Sequence, residues 1–383
     1  MDKRWVARVS RAGICALLLT TACSGGKAGM LEEMAAQSEA ANAVFPTADW
    51  TQADPTELGF DAAKLEEIAA ESVPETECLL VARHGEIVGE WYYNGRTPEQ
   101  ASGVMSVTQA YSATLVGIAQ EEGFLDVDDP VSKYIPEWVG TESEGVTIRN
   151  ILSHDSGRTS TNSIGNAELH QQLIGAPNPG ELAIGLEQQH APGEVWSQNL
   201  PAIELLNPIL TAATGQDPAA YAEEKLFTPI GAANTSMMKN GEDITWMHAF
   251  LETTCRDAAR FGYLYLRQGN WNGDQVVSEE FIEEATHPSQ ELNAGWGYMW
   301  WLNQPGSLVS VDNMLTPDYE EPSNLKLVPD APDDMYWALG FGGRFVQVHP
   351  ASDTVVVRLG DGDEAANMRQ VTRLITEAFV GDE

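Results

Sequence analysis

Basic side chains are scarce in this 383-residue chain: 21 Lys and Arg stand against 57 Asp and Glu, a formal net charge of −36. So acidic a surface repels nucleic-acid phosphates and anionic membranes, and neither is an expected partner. Cysteine is also thin. Of the four, Cys15 and Cys23 fall within the first 23 residues, which leaves Cys78 and Cys255, far apart in sequence. Those two are either bridged or buried as thiols, because a bridge needs Cα atoms within about 7 Å and spacing alone does not supply that. Internal repeats and membrane-length apolar runs are absent, and the acidic stretches "DDP" and "DGDE" lack the spacing of an EF-hand loop. No metal and no cofactor are expected.

What is present begins with an export signal. "MDKRWVARVSRAGICALLLTTAC" carries four basic residues, a short apolar run from Ile14 to Leu19 and small residues before Cys23. Thr20-Thr21-Ala22-Cys23 resembles a bacterial lipobox, with Thr20 a weaker choice than Leu, so residues 1–23 read as a signal peptide of lipoprotein type with Cys23 as the lipidated residue, the alternative being an ordinary cleaved signal that discards both Cys15 and Cys23. Without residues 1–22 the charge becomes −39, from 56 acidic and 17 basic side chains. Residues 24–45 read as a tether. The chain is expected to be exported, as a periplasmic or cell-surface lipoprotein of a bacterium that meets the membrane only through its lipid anchor.

Beyond the tether, 43% hydrophobic content with 11 Trp is enough to fill a core. "CLLVARHGEIVGEWYYNG" alternates around His84-Gly85, as two strands joined by a tight turn would. From Ser106 to Glu122 the period lengthens to a helix that Gly123 ends. Residues 126–290 carry mainly helical patterns. "YWALGFGGRFVQVHPASDTVVVRLGD" returns to strand texture before the amphipathic "NMRQVTRLITEAFV". The predicted fold is α/β of the α+β kind: an antiparallel sheet flanked by helices, built from 46–125 and 291–383, with a helical insertion at 126–290.

At "MSVTQAYS", "GFLDVDDPVSKYIPEW", "VTIRNILSHDSGR", "APGEVW", "CRDAARFGYLYLRQGNWNG", "GYMWWLN" and "LGFGGRFVQVHPASDTVVV" the chain resembles serine hydrolases of the β-lactamase and penicillin-binding-protein fold. The likeness is to esterases and amide hydrolases related to class C β-lactamases, and it spans residues 58–383. It implies a β-lactamase/transpeptidase-like architecture and three site elements: SxxK, a Tyr or Ser two residues before an Asn, and Lys/His-x-Gly on the last strands. The chemistry explains the first. A serine hydroxyl is a poor nucleophile until a neighbour takes its proton, and a residue three further along a helix shares its face.

Here the elements depart from that pattern. Ser106 holds the nucleophile position, although a serine there is also a favoured helix cap. Gln109 stands where the lysine would be, and a neutral amide takes up no proton near pH 7. Aligning "APGEVWSQNL" on the family's PG-x-V-W-x-Y puts Gln198 at the tyrosine and Leu200 at the asparagine; the lesser frame puts Ser197 and Asn199 there. Phe341-Gly342-Gly343 takes the place of Lys/His-x-Gly, and the Arg344 N–H would join that of Ser106 in an oxyanion hole. Asn199 and Arg158 are further candidates for substrate contact, Arg158 at the cleft rim. His154 is expected to be structural, and Tyr298, Trp300 and Trp301 to be core. The function implied is ester or amide acyl hydrolysis through a serine acyl-enzyme, impaired by Gln109 and Gln198. The alternative is a non-catalytic envelope protein that binds a small ester, amide or cell-wall-derived ligand. In either case the chain is expected to act as a monomer.

Overall fold

The computed structural model describes residues 43–46, 49–71, 75–160, 167–309, 325–362 and 364–381. The contacts divide the chain into Met1–Ala43 and Val44–Glu383. The expected signal segment, the lipidation at Cys23 and most of the tether lie outside the described residues.

Strands β1 (Thr76–Arg83) and β2 (Glu86–Tyr92) form the expected hairpin. Its two turn residues, His84 and Gly85, have φ of 53° and 85°, the pair of left-handed conformations that matches the twist of a two-residue hairpin loop. Three small pairings follow along the chain: β3 (Ser102–Gly103), β4 (Ser236–Met237) and β5 (Leu251–Thr253) make one short sheet, and β6 (Asn270–Trp271) pairs with β7 (Asp274–Gln275). Then come β8 (Trp301–Leu302), β9 (Tyr336–Gly340), β10 (Arg344–His349) and β11 (Thr354–Gly360). The main sheet runs β2-β1-β11-β10-β9-β8, antiparallel throughout. β1 lies beside β11 with Val81 opposite Val356, so both ends of the folded chain complete one sheet.

Helices cover both faces. Helix α1 (Ala62–Glu71) and the C-terminal helix α4 (Glu364–Ala378) pack together. Between them in sequence lie α2 (Thr108–Glu121) and α3 (Cys255–Leu266). Strand alternation separates the layers. Val346 and Val355 press on Gly262 of α3, whereas the next residue, Gln347, accepts a hydrogen bond from Thr372 of α4.

The division expected at 126 and 290 does not follow this packing. Helix α3 falls inside the supposed helical insertion, yet it lies on β1, β10 and β11 and is joined to β1 by the Cys78–Cys255 disulfide, Cα atoms 6.4 Å apart. Helix α2, counted with the sheet part, is buried on all sides from Thr108 to Ala119 and packs against the helix Leu206–Thr214. Periodicity reports that a segment is helical and buried. It does not report against what. Tyr298, Trp300 and Trp301 are buried, in line with their expected place in the core.

Candidate active site

Ser106 sits where a strand turns sharply into a helix. β3 pairs with β5, and Val104 N–H donates to Leu251 O at 3.0 Å. The chain then reverses at Met105, whose φ of 51° is a left-handed conformation that costs a non-glycine residue about 1 kcal/mol or more. Thr108 holds the turn from within: its hydroxyl donates to Met105 O at 2.6 Å and accepts from Leu251 N–H at 3.0 Å. Ser106 is half-buried in the resulting 3₁₀ turn, Met105–Val107, which leads into α2. Neither its hydroxyl nor its N–H has a hydrogen-bond partner among the described residues.

Gln109, one turn further, is 2% exposed and points elsewhere. Its Nε2 donates to His248 O at 3.4 Å, and Ser112 Oγ donates to Met247 O at 2.7 Å, so this face of α2 props the segment Trp246–Phe250. Behind that segment lies a pair the sequence reading missed. Glu204 is fully buried, and its Oε1 accepts the N–H groups of Met247 (3.0 Å) and His248 (2.9 Å) and faces His248 Nδ1 at 2.6 Å. A lone glutamate within the apolar "LPAIELLNPIL" was the available signal. A buried carboxylate needs partners, and main-chain donors distant in sequence supply them here.

Among the described residues no replacement base hydrogen-bonds Ser106. Lys64 donates to Glu377 O, and Lys133, Lys225, Lys239 and Lys326 pair with Asp129, Glu122, Asp217 and Asp333. Among the described residues no lysine or histidine hydrogen-bonds the serine. His154, expected to be structural, is one: its carbonyl accepts Ser197 N–H and its Nδ1 accepts Asn199 N–H, and burial pushes its imidazole down to about 3.

The second element is half-buried at Gln198, whose carbonyl accepts from Ser160 Oγ at 2.7 Å. Asn199 is spent on structure. Its Oδ1 caps the helix Leu200–Glu204 by accepting Ala202 N–H at 3.0 Å, its Nδ2 donates to Arg158 O, and it is 2% exposed. The structure therefore corrects its assignment as a substrate contact. The same holds for Arg158, which is no rim residue. It is 5% exposed, donates to the carbonyls of Ala183, Ile184 and Leu186 and to Ser143 Oγ, and stacks on Trp138. Burial pulls its guanidinium down to about 10. A loop whose carbonyls turn inward needs a buried cation, and no local spacing announces it.

The third element shifts by a few residues. A Cβ on Gly340 would lie 2.3 Å from Val104 O and 3.3 Å from Val107 N, so the end of β9 touches the Ser106 turn at a place only glycine fits. Gly340, which the sequence reading passed over, is thus the close-approach glycine. Arg344 opens β10 as the ladder partner of Gly340, so its main chain serves the hairpin and not an oxyanion hole. The N–H next to Gly340, that of Phe341, has no acceptor among the described residues. Gly342 and Gly343, at φ of 82° and 74°, make the turn itself, and Gly342 faces the Arg344 guanidinium. The Phe341 side chain is 72% exposed.

A hydroxyl and two unengaged amide N–H groups, from Ser106 and Phe341, thus lie where the helix turn meets the hairpin: an arrangement able to receive an acyl group and hold a developing oxyanion. This is the architecture of a serine hydrolase. The chain belongs to the beta-lactamase family, whose model matches residues 78–378. It is 23% identical over 354 residues to the 6-aminohexanoate-dimer hydrolase of Paenarthrobacter ureafaciens, covering 82% of this chain and 90% of that one. Two solved structures share the fold. A penicillin-binding protein homolog from Caulobacter crescentus has a TM-score of 0.61 at 15% identity, over 85% of this chain and 97% of that one. A family VIII carboxylesterase has 0.60 at 16%, over 81% and 96%. Among the described residues no cluster of three or more His, Cys, Asp or Glu could hold a metal ion, and no helix is long and apolar enough to cross a membrane.

Proposed function

We propose that this protein is an exported ester or amide hydrolase that works through a Ser106 acyl-enzyme and is impaired, because Gln109 and Gln198 occupy the two proton-transfer places. One observation carries the reading: among the described residues the serine hydroxyl has no base within hydrogen-bond reach, and every described lysine is engaged elsewhere. In serine hydrolases whose catalytic group acts as a unit, loss of the base removes roughly 10⁴ to 10⁶ in turnover; roughly 10³ over water remains from the oxyanion hole and binding. The leader that ends at Cys23 supports export as a lipid-anchored protein. Two relatives, named for hydrolysis of the 6-aminohexanoate dimer and of carboxylesters, support a small amide or ester as substrate.

The test is hydrolysis of p-nitrophenyl esters and nitrocefin by the wild type, Ser106→Ala and Gln109→Lys/Gln198→Tyr. The double variant should exceed the wild type by at least about 10²-fold. Ser106-dependent wild-type turnover equal to or above it would overturn impairment.

A second reading is favoured by Gln109, whose amide is locked to His248 O while both N–H groups stay free: a protein that holds such a ligand reversibly in the old cleft. Intact-protein mass spectrometry after exposure to a fluorophosphonate separates the two. An adduct on Ser106 supports the enzyme; thermal stabilisation without an adduct supports the binder.

A further inference from the structure

The turn that follows Gly340 is gripped from beneath by two guanidinium groups. Arg344, 7% exposed, donates through Nε to Gly103 O at 2.9 Å and through Nη1 to Phe341 O at 2.6 Å, and Nη1 also lies 2.8 Å from Asp361 Oδ1. One side chain therefore ties the strand that leads into Ser106 to the residue bearing the second free N–H, 241 positions apart in sequence between Gly103 and Arg344. Arg358, 2% exposed, donates through Nη1 to Gly343 O at 2.7 Å and Gly342 O at 3.3 Å, and through Nη2 to Asp361 O at 2.8 Å. Every carbonyl of the three-residue turn thus accepts from a cation, and Asp361 links the two. The turn needs such a grip. Two successive glycines in left-handed conformations have many alternatives, and carbonyls facing inward without donors are costly.

We propose that Arg344 and Arg358 are positioning residues that lock the Phe341–Gly343 turn to the Gly103–Ser106 segment, so that the Ser106 and Phe341 N–H groups address one acyl oxygen. The inference rests on the reading of Ser106 as acyl acceptor. The two cations also put positive charge behind the place where an oxyanion develops, in a cleft whose usual lysine positions are neutral. Burial, and then Arg344, pull Arg358 down to about 10, so it stays charged near neutral pH.

The test uses the full folded domain and a fluorophosphonate probe whose labelling of Ser106 is followed by mass spectrometry at several concentrations. Saturation separates the probe's apparent affinity from the rate of phosphonylation. For Arg344→Ala the phosphonylation rate should fall about 10- to 100-fold while the apparent affinity changes less than about threefold, since a misplaced donor costs the transition state rather than the encounter. Arg358→Gln should act in the same direction. Arg83→Ala is the control for lost stability, because Arg83 makes the same kind of grip on Leu58 O and Ser352 O at the far side of β1. Amide exchange of the segments 102–109 and 338–345 gives a readout that needs no chemistry, and it should speed up in both turn variants and not in the control. If the wild type is never labelled, the acyl-acceptor reading falls, and exchange alone then decides the lock. Unchanged exchange, or labelling reduced no more than in Arg83→Ala, would overturn the proposal.

Discussion

At the scale of single residues, burial decides what each polar group can do. Ser106 was legible because a hydroxyl opening a buried helix is both a cap and a nucleophile position, and the surrounding phrases selected between them. Asn199 and Arg158 looked available for chemistry and proved, like His154, which was expected to be structural, to be interior hydrogen-bonding groups. Two histidines make this testable. Burial holds His154 and His349 down to about 3, from an ordinary 6.5. Between those values the unfolded chain binds protons the folded chain refuses, so stability is intact above pH 6.5 and falls as pH drops toward 3. The limiting slope is about 1.4 kcal/mol per pH unit for each histidine. Asp155 and Glu284, whose carboxyls are raised by burial, take up protons on folding and offset part of the loss. The midpoint of thermal unfolding should therefore decline on acidification from pH 7 to 4.5, less steeply in His349→Gln; equal slopes would refute His349's part.

At the scale of elements, strand and helix existence followed from pattern, and partners did not. The His84-Gly85 hairpin and the helix after Ser106 are local: a turn's backbone conformation and a 3.6-residue period are written in neighbouring residues. That α3 packs on the sheet is not. Its evidence is Gly262, where a Cβ would lie 2.7 Å from Val355 Cγ1 and 2.8 Å from Val346 Cγ1. Gly262→Ala is informative because two effects oppose. Helix propensity favours alanine by about 1 kcal/mol, whereas overpacking a closed interface costs about 1–3 kcal/mol. The net outcome should be a lower unfolding midpoint in calorimetry; a gain in stability would show that α3 stands off the sheet. The hairpin between β9 and β10 teaches the same lesson. "LGFGGR" offers three glycines, and only the approach of Val104 singles out Gly340 as the one beside the serine.

At the scale of the whole molecule, charge and the disulfide matter most. A formal charge of −36 works against compactness through self-repulsion, which salt relieves because exposed charges more than about 10 Å apart are screened at 0.1 M. Raising NaCl from 20 mM to 0.5 M should raise the unfolding midpoint; a fall would mean that attractive ion pairs such as Arg256–Glu90 outweigh the excess of acid. The Cys78–Cys255 link closes 177 residues, joining β1 to the helix behind it.

Composition and order alone determined that the chain builds a large core, that its surface is acidic, and that a serine opens a helical stretch with glutamine where a base would stand. These are properties of residue type and short spacing, carried by every conformation the chain could adopt. Only the tertiary structure decided which cysteines meet, which arginines are interior, which amide N–H groups are left free beside Ser106, and that none of the described lysines returns to it. Those depend on contacts between residues tens to hundreds of positions apart, and such contacts are set by how the whole chain satisfies its buried polar groups at once.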